Sequence, residues 1–352
     1  MLELGLSILF LLGFLYCLRP LIQSYGTVQK VIIDYLIGSG YIVVTLELAS
    51  VVSSLNKPWV ILSIQAVLTL FAGIFFRKKL TPAKIHLSKA LAFVKQSFKQ
   101  HPFLMGFTCL IGVFYVFLFF LSIHFPQNTS DALYNHLSRV GYWLQQGSLK
   151  TYTSFNDIGL IYPLNNSLLM LWSVVFIKSD ILVGSVQLTA TLITALIIYS
   201  MSQELGFSRK SGLLSSLIFL TFPIVLLESI TAQNDILAAS YIVAAFLFLL
   251  NREPSRQKSS FIYSALAISL ALGTKQYALF IFPGYLLLVL IRYLKSVGRK
   301  RNLIIAWLGS MVGFSIMVGL FSYARNLIDL GSPFGSVQEV IFATIDYGSS
   351  EA

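Results

Sequence analysis

The sequence predicts an all-α, polytopic transmembrane bundle, and three observations predict it. Hydrophobic residues fill 56% of the 352 positions and charged residues only 11%, against about 25% charged in a soluble domain. Mean hydropathy is +0.79. Apolar runs approaching the length of about 20 residues that crosses a bilayer recur along the chain, separated by short polar segments. A chain so poor in charge cannot cover its apolar surface with polar groups, so lipid serves as part of its solvent.

The elements follow in order. Leu4–Leu18, closed by Arg19 and Pro20, lacks a basic leader and a small-residue cleavage site and reads as a retained span. Val31–Ser54 and Trp59–Phe76 follow, broken by Asn56-Lys57-Pro58. Arg77–His101 is a basic connector expected as an amphipathic surface helix. Phe103–Ile123 crosses next, and His124–Asp180 is the longest stretch without a clear span. Within it Ser167–Ile177 is apolar but short, which predicts a re-entrant or interfacial helix. The remaining spans are Ile181–Met201, Ser211–Leu227, Ile236–Leu250, Phe261–Leu272, Tyr277–Tyr293 and Asn302–Tyr323, giving about ten in all. Residues 1–102 form an N-terminal three-span segment with its connector, and 103–352 a transmembrane core.

The net charge of +11 is sorted rather than spread. Arg77, Lys78, Lys79, Lys84, Lys89, Lys95 and Lys99, then Arg209 and Lys210, then Arg252, Arg256 and Lys258, then Arg292, Lys295, Arg299, Lys300 and Arg301 all fall on one side of a ten-span topology. This is the pattern of cytoplasmic loops, and it argues against nucleic acid as a partner. Cys17 and Cys109 lie inside apolar runs with no metal-ligand or disulfide spacing.

The opposite side carries the chemistry. Asp131, Tyr134, His136 and Arg139 come from the first outer loop, Gln233-Asn234-Asp235 and Lys275 from two turns, and Arg325 follows the last span. Ionisable groups beside hydrocarbon are expensive and usually serve a site. A carboxylate base with cations suited to a phosphate is equipment for attacking a phosphate-activated substrate. Blander roles stand beside this one. Asp131 and Asp235 each precede a helical stretch and suit an N-cap. His136 suits a packed interface, Arg139 and Lys178 suit headgroup contact, and Tyr134, Tyr142 and Trp143 suit an aromatic belt. Lys275 and Arg325 stand against the charge bias and are less easily explained that way.

Asp131-Ala132-Leu133-Tyr134-Asn135-His136-Leu137-Ser138-Arg139, followed by Tyr142-Trp143-Leu144-Gln145-Gln146-Gly147-Ser148-Leu149, resembles the first outer loop of GT-C superfamily membrane glycosyltransferases. The nearer likeness is to the protein mannosyltransferase and aminoarabinose transferase-like proteins of family 39. Asn135 stands before His136 where many members differ. Tyr162-Pro163, Thr231-Ala232-Gln233-Asn234-Asp235, Leu272-Gly273-Thr274-Lys275, Ala324-Arg325-Asn326 and Gly331-Ser332-Pro333 resemble further family segments, in family order. The likeness spans 103–335 and leaves out the first three spans.

The resemblance implies an inverting transferase that moves a sugar from a polyprenyl-phosphate donor to an acceptor hydroxyl on a glycan, lipid or protein at the outer face. It implies Asp131 as general base, with His136 and Asp235 as further catalytic candidates. Tyr134, Arg139, Gln233, Asn234, Lys275 and Arg325 become substrate-binding candidates, with Lys275 and Arg325 at the leaving phosphate. No cofactor and no metal is expected, and the expected location is a bacterial plasma (inner) membrane. Asn128 and Asn165 open formal glycosylation sequons, and neither is expected to be used. Many relatives continue further, so the chain reads as a short or truncated member. The competing readings are a transporter or flippase for a lipid-linked saccharide and an inactive scaffold of the same type.

Overall fold

The computed structural model describes residues 2–76, 95–96, 98–152, 157–251, 253–296 and 300–334, with the backbone alone at 157 and 158. Most of the expected surface helix over Arg77–His101, residues 77–94 and 97, lies outside the described residues.

The described residues form helices and turns. Among the described residues six helices are long and apolar enough to cross a membrane: Leu2–Ile22, Thr27–Val51, Pro58–Phe76, Pro102–His124, Ser185–Glu204 and Lys300–Gly319. Asn165–Ile177, Asp235–Leu250 and Ala278–Leu294 are apolar but shorter. The protein is therefore an integral, multi-pass helical bundle. Large apolar side chains cover its outside, with Phe103 89% and Phe280 80% exposed, as expected where lipid replaces water.

Local chemistry sets the breaks. Phe222 is extended (φ −64°, ψ 128°) and separates Arg209–Thr221 from Pro223–Glu228, because a residue before proline is pushed out of the helical region. Ser208 caps the first of these helices, its hydroxyl accepting from the Ser211 amide at 3.1 Å. Pro283 sits inside Ala278–Leu294 without ending it.

Thr27–Val51 is the central helix. Its Ile32, Ile33, Leu36, Val43 and Leu46 share one core with Leu168 and Met170, Leu237 and Tyr241, and Ile268 and Leu270. Polar bonds tie the helices together inside that core. Tyr35 Oη meets Ser240 Oγ at 2.7 Å, and Tyr285 Oη receives both Ser264 Oγ (3.1 Å) and Trp307 Nε1 (3.0 Å). Each such bond adds about 0.6–2 kcal/mol in a membrane bundle, where apolar burial alone does not favour helix pairing.

Asn165–Ile177, expected as a re-entrant or interfacial helix, is enclosed by other helices of the bundle. Asn165, Asn166, Ser167, Leu168, Met170, Leu171 and Val175 are all buried, and the helix packs among Thr27–Val51, Ser138–Gln146 and Ser185–Glu204. Its polar N-terminal turn is a junction. The Asn165 amide donates to the Gly273 carbonyl at 2.9 Å, and its side chain donates to the carbonyls of Leu270 (3.2 Å) and Val318 (2.8 Å). A buried Asn165 also leaves no room for a glycan.

Polar contacts gather at two ends of the bundle. At one end Glu204 accepts from Gln29 (2.8 Å) and Asn251 (3.1 Å), Arg256 donates to Gln29 (3.4 Å) and Arg292 donates to the Asn251 carbonyl. At the other end lie residues 127–152 and 157–163, the turns around 230 and 275, and Phe321–Leu330. Arg209, Lys210, Arg256 and Lys258 belong to the first end, and Asp131, Asp235, Lys275 and Arg325 to the second.

Gly273 sets the close approach at the second end. A methyl group added there would collide with the Val318 carbonyl and the Asn165 amide nitrogen. Gly273→Ala should destabilise the protein by about 1–3 kcal/mol, read as a lower unfolding midpoint in detergent. An unchanged midpoint would show that the junction yields freely.

Candidate active site at the loop end of the bundle

The loop helix opens with a π-turn, Ala132–Leu137, and continues as an α-helix over Ser138–Gln146. An α-helical pitch separates residues five apart onto different faces, whereas the i→i+5 ladder of a π-turn brings them together. The π-turn thus brings Asp131 and His136 side by side. This differs from the α-helix expected from Ala132 onward. Asp131 is no cap either: its carboxylate bonds no helix N–H, and instead accepts from Asn135 Nδ2 at 2.6 Å.

Arg139 sits beneath them, 1% exposed. Its Nε donates to Ser167 Oγ (2.7 Å), Nη1 to the carbonyls of Gly159 (3.2 Å) and Tyr162 (3.1 Å), and Nη2 to the Pro163 carbonyl (3.0 Å). Nη2 also lies 3.3 Å from His136 Nδ1. Guanidinium only donates, so Nδ1 accepts and the imidazole proton sits on Nε2. That atom lies 3.6 Å from Asp131 Oδ2. Burial pushes the Arg139 value down to about 9, still far enough above neutrality to leave it charged. Its guanidinium also lies over the Trp143 ring, 5.5 Å from the centroid.

The electrostatics agree with this tautomer. Burial lowers the His136 value below the ordinary 6.5, so the ring stays neutral at pH 7. The His136 imidazole, with the Asn135 amide, holds the Asp131 carboxyl down at about 2 against the upward push of partial burial. Asp131 is therefore ionised and half-exposed, with 40% of its side chain open.

A second cluster stands close by. Lys275 Nζ donates to Asp235 Oδ1 at 2.6 Å and lies 5.3 Å from the Tyr277 ring centroid. Its charge acts on both Asp131 and His136. Asn234, buried, donates to the Thr274 carbonyl at 3.1 Å and joins the two turns. With its amide turned to present nitrogen, Gln233 donates to both Glu228 carboxylate oxygens at 2.5 Å. Burial raises the Glu228 value, as do the nearby carboxylates Asp235 and Asp131. Sequence reasoning missed Glu228. The available signal was a lone acid at the end of the apolar run Ser211–Leu227, a few residues before Gln233-Asn234-Asp235.

Asp131, His136, Asp235, Lys275 and Gln233 are thus brought into one electrostatic neighbourhood with Glu228. Tyr134 is 67% exposed beside them. Arg325 lies elsewhere, under the loop. It donates to the carbonyls of Leu149 (3.3 Å) and Leu160 and to Asn326 Oδ1 (2.9 Å), and it stays charged although burial lowers its value to about 10. Asn326 adds a bond to the Ile161 carbonyl at 2.8 Å. Gly147 completes the fastening. Its φ of +69° suits glycine, its carbonyl accepts from the Leu55 amide at 2.9 Å, and a side chain there would press on the Ser53 carbonyl at 3.0 Å.

Fold and site together define a membrane-embedded helical protein with an acid, base and cation cluster at one polar end. Residues 178–326, less than half of the chain, match the family model described as dolichyl-phosphate-mannose-protein mannosyltransferase. Over that segment the chain is similar to protein mannosyltransferases, a family of membrane glycosyltransferases. The match contains Asp235, Lys275 and Arg325 and leaves the Asp131 loop outside it. No curated protein and no solved structure matches the chain.

Two outcomes test the loop's construction. Arg139→Gln strips most donors from five buried acceptors and should cost about 3–5 kcal/mol, measured as a drop in unfolding free energy; a loss below 1 kcal/mol would show that water replaces the guanidinium. His136 binds fewer protons folded than unfolded below pH 6.5, and Asp131 does so between 3.8 and about 2. Acid therefore destabilises the loop on both counts. Proteolytic cleavage between 147 and 163 should rise as pH falls below 6.5, measured with an acid-active protease whose own pH profile is divided out. A flat corrected profile would show that His136 does not hold the loop.

Proposed function

We propose that this protein is a membrane glycosyltransferase that moves a hexose from a polyprenyl-phosphate donor to an acceptor hydroxyl, with inversion at the anomeric carbon and Asp131 as the base. The observation that carries the reading is an ionised, half-exposed carboxylate beside a lysine at the membrane-surface end of a lipid-facing bundle. The matched family model names dolichyl-phosphate-mannose as donor and protein as acceptor. For this chain we take the donor class from it and leave the acceptor as a hydroxyl on a glycan, lipid or protein.

The acceptor oxygen attacks the anomeric carbon as its proton passes to Asp131. The bond from that carbon to the phosphate oxygen breaks, and its electron pair leaves on the lipid phosphate. Lys275 carries the charge that develops there. A carboxyl held at about 2 is a weak base at rest. A bound phosphate brings negative charge and excludes water, and both raise a carboxylate's affinity for the proton. Donor binding thus prepares the base. His136 orients the carboxylate through its Nε2–H, and Asp235 holds Lys275 in place. Gln233 and Asn234 shape the turn that carries Asp235, and Tyr134 offers an exposed ring to the substrate. Arg139 and Arg325 spend their donors on loop carbonyls and serve by holding the loop.

An apolar groove of about 420 Å³, walled by Leu4, Leu11, Ile42, Leu169, Val186 and Leu237, suits the donor's hydrocarbon tail. In this reading ten helical segments cross the membrane, the basic end is cytoplasmic, and the site faces the opposite side of a bacterial plasma membrane.

Asp131→Asn keeps the side chain's size and one oxygen for Asn135 but removes the basicity. Turnover of a polyprenyl-phosphate-hexose should fall at least about a hundredfold with donor binding intact; normal turnover would move the base to Asp235 or Glu228. Lys275→Gln should weaken donor use by about 1.5–3 kcal/mol, and wild-type donor kinetics would remove it from the mechanism. For topology, single cysteines at Phe207 and Lys150, with Cys17 and Cys109 replaced, should label from opposite sides of sealed vesicles. Labelling from the same side would overturn the ten-span arrangement.

A further inference from the structure

A second cleft lies at the basic end, far along the helices from the site. It holds about 430 Å³ between the ends of Asp235–Leu250 and Ala278–Leu294. Leu249 and Leu250 line one wall, and Leu288, Ile291, Arg292 and Lys295 the other. We propose that this cleft binds an anionic phospholipid, with the phosphate at Arg292 and Lys295 and an acyl chain along the leucines.

The geometry matches that ligand at both of its ends. Arg292 is held in position by its donation to the Asn251 carbonyl, and Asn251 in turn donates to Glu204 at 3.1 Å. The cation therefore stands at a fixed place at the end of the neighbouring helix. Lys295 follows one turn after Ile291 and closes the helix as its C-cap. Two helix C-termini meet here, and their partial negative charge would repel an anion. Two full positive charges outweigh the partial ones. Below the cations the cleft turns apolar at Leu249, Leu250, Leu288 and Ile291, the last 38% exposed. A soluble anion has no use for those walls, whereas a two-chain lipid with a phosphate headgroup covers both parts. Basic pockets between helices at a cytoplasmic surface are known to select such headgroups.

The test uses the full chain in detergent, titrated with phosphatidylglycerol or with phosphatidylcholine of the same acyl chains, and counts bound lipid by native mass spectrometry. Wild type should retain phosphatidylglycerol at least about fivefold better than phosphatidylcholine. Lys295→Gln should reduce that retention about fivefold, the scale of one surface cation on anionic lipid. Leu288→Trp fills the cleft, keeps both cations and should also reduce it. Lys258→Gln removes an exposed cation at the same end but outside the cleft, and should leave retention unchanged. Equal retention of the two lipids by wild type would overturn the proposal. So would an effect of Lys258→Gln equal to that of Lys295→Gln, or unchanged retention in Leu288→Trp when its unfolding midpoint matches wild type.

Discussion

A guanidinium removed from water is the constraint on which the loop end of this protein depends. Arg139 is 1% exposed, and a lone buried charge costs several kcal/mol unless its donors are met. Among the described residues no carboxylate meets them at bonding distance. Three backbone carbonyls, one serine hydroxyl and one imidazole nitrogen do. Those partners lie on the turn 159–163, on the helix Asn165–Ile177 and on the π-turn itself. Satisfying one side chain therefore joins three pieces of chain that have little apolar surface to hold them together. Arg325 does the same for Leu149 and Leu160 from the other side.

The consequence reaches Asp131 through His136. A guanidinium on Nδ1 leaves the imidazole one way to keep its proton, on the nitrogen facing the carboxylate. The π-turn then determines that the two side chains meet at all. Wide turns of this kind are costly in isolation and recur at functional sites. Here the cost is met by packing against Gly159, where a methyl group would press on Asn135 at 3.3 Å.

The bundle below supplies rigidity and the membrane setting. Its outer surface is apolar because it faces lipid, so the polar groups left over have two places to go. Some become bonds between helices, as in Tyr285 with Ser264 and Trp307. The rest collect at the two ends. That division leaves a basic end, which suits anionic headgroups, and a mixed end, where acids and Lys275 stand together.

Composition and patterning by themselves determined the helical membrane class, the order of the apolar segments and the separation of basic residues from the acid-bearing loop. These follow from transfer free energies, which act residue by residue and can be read in a line. The family likeness was also legible, through Gln233-Asn234-Asp235 and Gly273-Thr274-Lys275 inside the matched segment. Which polar groups share a neighbourhood was decided by tertiary structure. An α-helix of 3.6 residues per turn over 132–137 would set Asp131 and His136 on different faces, whereas the π-turn pairs them. Glu228 follows the apolar run Ser211–Leu227 in sequence, and the fold sets it beside Gln233. Arg139 and Arg325 had the same charge in sequence as Lys275. Only the fold could show that carbonyls surround the two guanidinium groups while the ammonium stands at the site, because burial is a property of the neighbours and not of the residue.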